Sequence, residues 1–385
     1  MPSPIEFIRP LMLLLSVLQG CIAFASTGAE RTPAASITAE EAADTLAALK
    51  PPKRERPVVA VLALNEGSET TDYLVPFGVL KRSGLVDVFA LAIRPGSVTL
   101  MPSLTILPDA TTAEFDQRFP EGADYVIVPA MHVANDPAIL QWIDAQAARG
   151  ATMVGVCAGA QVLANAGVLR DRRATTHWYR VAEMRKTDPS IRYVADRRYV
   201  ADRGVVTTTG VSASLPVSLA IVAAIGGRER ADALARELGV SDWGAAHDSS
   251  EFRLNAGVIA SYAANYLEFW RHETVGIPVS DGVDELALAL TSNAYEATHL
   301  ARVKTLANTS QTVVMRHGLR LVPDETIDAA RVRLELAPPS AIAPGYVLDR
   351  ALSDITVRYG ARTARIVRLE LEYPEANAAA VALVP

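Results

Sequence analysis

Between Pro57 and Gly227 the chain alternates strand-length apolar runs with segments of helical period, and no other feature constrains the fold as tightly. The runs "PVVAVLAL", "VDVFALAI", "DYVIVPA", "TMVGV" and "GVVTTTG" read as strands. The stretches "TTDYLVPFGVLKRSG", "DPAILQWIDAQAARG", "AQVLANAGVL" and "SLPVSLAIVAAIGG" read as helices. A strand that is apolar on both faces has to be covered on both faces, and the helices between such strands supply that cover through right-handed crossovers. The expected fold is α/β, a parallel sheet sandwiched between helices. Such sheets place their ligand sites at the carboxyl ends of the strands.

The chain has 385 residues, half of them hydrophobic, and a formal net charge of -6. That length accommodates one large domain or two ordinary ones. Charge is mixed in sign along the sequence, without the basic stripe that a nucleic-acid surface needs, so no nucleic-acid partner is expected. There is no H-E-x-x-H or C-x-x-C, and Gly226-Gly227 lacks a dinucleotide-binding context, so neither metal nor cofactor is expected. His247 and His272 read as surface histidines.

Residues 11 to 25, "LMLLLSVLQGCIAFA", are too short to span a bilayer comfortably; Arg9 precedes them and Ala23-Phe24-Ala25 ends them. This pattern predicts a secretory signal over 1–25, with Ser26 as the first mature residue and a periplasmic or secreted location. Two alternatives stay open: "VLQGC" as a lipoprotein signal acylated at Cys21, and an uncleaved segment tethering the chain to a membrane. Residues 26–56, closing on "PPKRERP", read as a linker. Next come a domain over 57–239 and a smaller C-terminal α/β accessory region over 240–385.

That accessory region echoes the first domain. "LMPSLTILPDATTAEFD" at 100 to 116 is answered by "VMRHGLRLVPDETIDAA" at 314 to 330, and "VVAVLAL" by "DELALAL" at 284 to 290. A degenerate half-repeat from about residue 280 is the expectation, with "DELALAL" as a strand, against chance recurrence. The aromatic helix 261 to 272 is expected to pack the second region onto the first.

The chemistry centres on "ATMVGVCAGAQVLANAGVL", residues 151 to 169. Small residues at Gly155, Ala158 and Gly159 allow a sharp strand-to-helix reversal that presents the side chain at its tip, as in a nucleophile elbow. Cys157 is then either a packed thiol or a nucleophile. Placed against a helix start, with backbone amides able to hold an oxyanion, it is expected to have a lowered pKa. An exported chain also has reason to lose a spare thiol.

With Asp72 in "ETTDYLVPFGVL", the elbow G-x-C-x-G-A, "ATTHW" around His177 and "TTTGVSAS" at 207 to 214, the sequence resembles the ThiJ/PfpI superfamily over about 57 to 235. It is most similar to the branch that includes AraC-type regulators and isocyanide hydratase. The resemblance implies a flavodoxin-like sandwich in which Cys157 is the reactive thiolate, Asp72 the acid hydrogen-bonded to it, and His177 a pocket residue. It also implies a pocket lined by Ala158, Gly159, Trp178 and Ser212. Where relatives carry Pro-Gly-Gly, this chain has Pro129, Ala130, Met131 and His132, which puts Ala130 at the oxyanion position and sends His132 toward Cys157. Trp178 and Tyr179 follow His177 where glutamine amidotransferases have H-x-E, so that activity is not expected. Ala158 replaces the hydroxyl residue of the hydratase, and no helix-turn-helix follows the sandwich. The function implied is a cysteine-dependent hydrolase, hydratase or lyase acting on a small electrophilic molecule, with the chain as a homodimer. The alternatives are a ligand-binding or redox-sensing module using the same cysteine, and a scaffold without chemistry.

Overall fold

The computed structural model describes residues 38–49, 52–339 and 342–374, which belong to one compact unit. The signal segment and Cys21 lie outside the described residues. In chain order the first half contains α1 (Ala39–Ala48), β1 (Val58–Ala63), β2 (Ser68–Glu69), α2 (Thr70–Ser83), β3 (Asp87–Ala92), β4 (Val98–Met101), β5 (Leu104–Leu107), β6 (Ala110–Thr111), α3 (Thr112–Arg118), β7 (Tyr125–Val128), α4 (Pro137–Ala148), β8 (Thr152–Gly155) and α5 (Gly159–Asn165). There follow β9 (Arg173–Ala174), α6 (Val181–Thr187), β10 (Arg192–Tyr193), β11 (Tyr199–Asp202), β12 (Val205–Thr208), α7 (Ser214–Gly226) and α8 (Arg228–Leu238). The second half contains α9 (Ala256–Leu267), β13 (Glu273–Pro278), α10 (Glu285–Glu296), β14 (Ala301–Ala307), β15 (Val313–Val314), β16 (Arg320–Leu321), β17 (Glu325–Thr326), β18 (Leu334–Glu335), α11 (Val347–Tyr359) and α12 (Ala361–Leu371).

The main sheet runs β11-β12-β8-β7-β1-β3-β6, parallel except for the β11–β12 pair. Along β1 successive residues feed two cores. Val59, Val61 and Ala63 pack with α2 and α7; Val58, Ala60 and Leu62 pack with α4 and α5. Every position of the strand is therefore buried, and an uninterrupted apolar run is its sequence signature. The fold is flavodoxin-like.

The second half repeats the first with an offset of 215 residues. Val58 and Glu273 open β1 and β13, Thr70 and Glu285 open α2 and α10, and Ala110 and Glu325 open β6 and β17. The second sheet, β17-β14-β13-β18, reproduces the order β6-β3-β1-β7. Asp109 binds Ala90 through backbone N–H and carboxylate at 2.8 Å each, and Asp324 binds Thr305 in the same way at 3.1 and 2.7 Å. β5 and β16 pair antiparallel with Ile106 opposite Leu321, its own counterpart. The halves are thus related by a local pseudo-two-fold at this pair.

This arrangement corrects three expectations. "DELALAL" lies in α10 and its N-cap, because a short buried apolar run fits a helix as well as a strand; the counterpart of β1 is "ETVGIP". The aromatic stretch at 261 to 272 is not the main joint between the halves: Phe269 and Trp270 are 73% and 65% exposed, and Tyr262 reaches the first half through a small cluster with Leu369 and Trp178. The joint is α10 against α2, close enough that a Cβ on Gly78 would lie 2.1 Å from Leu286 Cδ1. One hydrophobic core runs from Leu49 through α2 and α7 to α10, α11 and Leu371, so no break in packing falls at residue 239.

The stretch read as a linker is also engaged. Leu49 is buried behind α1, Arg197 pairs with Glu41 at 2.5 Å, and Arg54 pairs with the buried Asp124 carboxylate at 2.7 Å.

Candidate functional site

Cys157 lies at the carboxyl end of β8 with φ 56, one of the few non-glycine residues in the left-handed region. Its N–H donates to Thr208 Oγ1 at the end of neighbouring β12 at 2.9 Å and its carbonyl accepts from Thr176 Oγ1, just after β9, at 3.1 Å, so two separate segments clamp the turn. Gly159 makes the turn possible through close approach: a Cβ there would meet the Val128 carbonyl oxygen at 1.9 Å. The Ala158 N–H is directed at the sulfur and favours its ionised form. These are the elements of an elbow.

The thiol itself departs from expectation. Cys157 is 7% exposed, and burial pushes its pKa well above the ordinary value, helped by the charges of Asp72, Glu69 and Glu372. Helix α5 is only seven residues long, and its dipole does not offset three acidic neighbours. In this closed form Cys157 is a neutral thiol.

Asp72 is fully buried in the first turn of α2. Its Oδ2 accepts the Ala130 N–H at 3.1 Å, whereas its Oδ1 has no hydrogen-bond partner among the described residues. It makes no hydrogen bond to Cys157; it acts on the sulfur through its charge alone. Half-buried Glu69 caps the same helix, accepting the Asp72 N–H at 2.5 Å and the Thr71 hydroxyl at 2.8 Å. Burial and the neighbouring Glu69 drive the Asp72 carboxyl well up. Asn293 of α10 donates its side-chain amide to Glu69 and to Thr71.

Three of the residues expected to line the pocket face the end of α12. His177 Nε2 lies 3.0 Å from the Glu370 carbonyl oxygen while its Nδ1 accepts the Tyr179 N–H at 3.4 Å. Trp178 donates its indole N–H to the Leu369 carbonyl at 2.9 Å and its backbone N–H to Glu372 Oε1 at 2.9 Å. Ser212 Oγ donates to the Glu372 carbonyl at 2.5 Å. Glu372, 1% exposed and left-handed with φ 47, also receives the Gly210 N–H on Oε2. Its carboxyl is raised by burial and held down by His177 and by these N–H groups.

The residues read from sequence are thus only partly assembled. Cys157, Ala158, Gly159, Asp72 and Ala130 cluster at the elbow, while His177, Trp178 and Ser212 grip the C-terminal helix. His132 is exposed, its backbone N–H bonded to the Gly67 carbonyl at 2.9 Å, and no contact joins it to Cys157. His247, read as a surface residue, is 7% exposed, stacked on Phe252 and depressed to about 4 by burial. Asn293 and Glu372 were not singled out. Both lie more than a hundred residues from the elbow in sequence, and no local pattern marks them. Among the described residues no group of His, Cys, Asp and Glu side chains could hold a metal ion, and no helix is long and apolar enough to cross a membrane.

Residues 58–224 match the DJ-1/PfpI family. The Parkinson disease protein 7 homolog of Danio rerio is 25% identical over 123 residues, which is 31% of this chain and 64% of that protein's length. Among solved structures, a ThiJ/PfpI family protein from Pseudomonas syringae is 24% identical, covering 49% of this chain and 76% of its own, with a TM-score of 0.43. Drosophila melanogaster DJ-1beta is 22% identical (49% and 100% covered, TM-score 0.44), and an AraC family transcriptional regulator from Pseudomonas putida is 19% identical (47% and 98% covered, TM-score 0.42). The segment from β1 into α7 is a DJ-1/PfpI family domain.

Proposed function

We propose that the chain is a cysteine-dependent enzyme of the hydrolase, hydratase or lyase kind, acting through Cys157 on a small electrophilic carbon. The observation that carries this reading is the left-handed elbow, which holds Sγ beside the Ala158 N–H and in front of the Asp72–Glu69 acid pair. In the reaction Sγ adds to the substrate carbon and its proton passes to a neighbouring carboxylate. The π electron pair moves onto the substrate oxygen or nitrogen, which a backbone N–H at the elbow then stabilises. His177 has both ring nitrogens engaged in the closed form and is not needed for that first transfer.

Redox sensing by the same cysteine has less support, since oxidation requires a solvent-reachable thiolate and this thiol is buried among acids. Export, proposed from residues 1–25, would place the activity in the periplasm or outside the cell.

The test is a panel of glyoxals, amides and isocyanides assayed with wild type and Cys157→Ser. Turnover by the wild type that vanishes in the variant is the expected result. Turnover unchanged by the substitution would sink the reading.

A further inference from the structure

Glu372 presents a chemical problem. A carboxylate 1% exposed sits within electrostatic reach of Cys157 and of the His177 ring, and among the described residues no Lys or Arg pairs with it. It is held instead by donors of the elbow loops: the Trp178 N–H on Oε1 and the Gly210 N–H on Oε2, with the Ser212 hydroxyl on its backbone carbonyl. Two converging backbone N–H groups form a site for a two-oxygen anion. The approach is close, since a Cβ on Gly210 would lie 2.8 Å from Glu372 Cβ and 2.9 Å from its Oε2. The residue filling the site adopts a left-handed conformation that is strained for a non-glycine residue. A strained internal carboxylate beside a reactive sulfur is a ligand that an external carboxylate can replace at little cost.

We propose that the N–H groups of Trp178 and Gly210 form a carboxylate-binding subsite of the Cys157 centre, occupied in the closed form by Glu372 and in the working form by the carboxylate of the substrate. This rests on the proposed cysteine chemistry and narrows it: the substrate is a small carboxylic acid with its electrophilic carbon close to the carboxylate. The same contact makes the end of α12 a built-in competitor, so the closed form keeps the thiol covered until a carboxylate ligand displaces Glu372. The last turn of α12 is held in place by the Trp178 indole on the Leu369 carbonyl and by Tyr373, whose hydroxyl donates to Asp349 at 2.8 Å. Displacement of Glu372 therefore requires that turn to move.

Two readouts on the full chain separate the subsite from the thiol chemistry. In the first, melting of Glu372→Ala is followed in sodium acetate and in sodium chloride of equal ionic strength. A carboxylate-specific rise of several degrees, absent in wild type, is expected, and no difference between the salts overturns the subsite. In the second, alkylation of Cys157 by iodoacetate, which carries a carboxylate, is compared with alkylation by neutral iodoacetamide. Sγ displaces iodide from either reagent. Glu372→Ala is expected to raise the iodoacetate-to-iodoacetamide rate ratio at least fivefold over wild type, with acetate slowing both reagents. A variant alkylated faster by iodoacetamide with no change in the ratio overturns the subsite and leaves the reactive cysteine standing. A folded variant that neither reagent labels, yet that acetate stabilises, retains the subsite and overturns the cysteine reading. If Glu372→Ala fails to fold, Ser212→Ala, which removes only the latch on the Glu372 carbonyl, should shift both readouts in the same direction by a smaller amount; no shift in either overturns the proposal.

Discussion

His177 binds Glu370 through its Nε2, 3.0 Å from a carbonyl oxygen that can only accept, so Nε2 carries the proton and Nδ1 is the acceptor for the Tyr179 N–H. The ring is a latch between the elbow loops and the end of α12. His177→Ala should loosen that turn and speed alkylation of Cys157 at pH 8 several-fold, while His177→Gln, which retains a donor, should change it less. Equal rates in both variants and wild type would remove the latch role.

The pH profile of Cys157 follows from its surroundings. Because burial and three acidic neighbours raise the thiol pKa, labelling should stay slow at neutral pH and rise only in alkaline solution, above the range of free cysteine. Asp72→Asn removes one acidic neighbour without changing shape, so the midpoint should move to lower pH. Stopped-flow alkylation between pH 6 and 11 measures both.

Gly78 is where α2 meets α10. With Leu286 Cδ1 only 2.1 Å and Glu285 Oε1 2.6 Å from an added Cβ, Gly78→Ala should force the helices apart and destabilise the chain by about 1–3 kcal/mol. Chemical denaturation gives the value, and a neutral result would mean that the helices part freely. Because the core crosses residue 239, a chain ending at Gly239 should be insoluble or unfolded, exposing the apolar faces of α2 and α7.

His247 makes stability depend on acid. Its folded pKa of about 4 lies below its ordinary value, so the folded state binds its proton less readily than the unfolded one. The stabilisation is full above pH 6.5 and is lost as pH falls toward 4, amounting to on the order of 2–3 kcal/mol. Burial is the main cause, with Arg198 adding to it and Asp196 and Asp248 opposing. His247→Phe, which keeps the stack on Phe252, should flatten this part of the stability curve; an unchanged curve would assign the acid loss to other groups.

Export is checked by fusing residues 1–30 to a reporter and sequencing the mature N-terminus of the whole protein. Ser26 as first residue is the expected result. An acylated Cys21 would establish the lipoprotein alternative.

The sequence alone determined what depends on local pattern. The alternation of apolar runs and helical periods is enough for a parallel sandwich, because β1 and its neighbours need burial on both faces. The turn at Cys157 is legible because only small residues fit against the Val128 carbonyl, and "ILPD" against "LVPD" points to the repeat because Asp109 and Asp324 make the same strand contacts. Tertiary structure decided whatever depends on distant neighbours. "DELALAL" became a helix because it had to pack against α2, and either period suits so short an apolar run. The Cys157 thiol became neutral because desolvation and carboxyl groups from β2, α2 and the end of α12 outweigh a seven-residue helix. Glu372 reaches the elbow from the far end of the chain, through contacts between backbone groups and a carboxylate that leave no mark in local sequence. His247 was buried by a stack on Phe252 that no periodicity encodes.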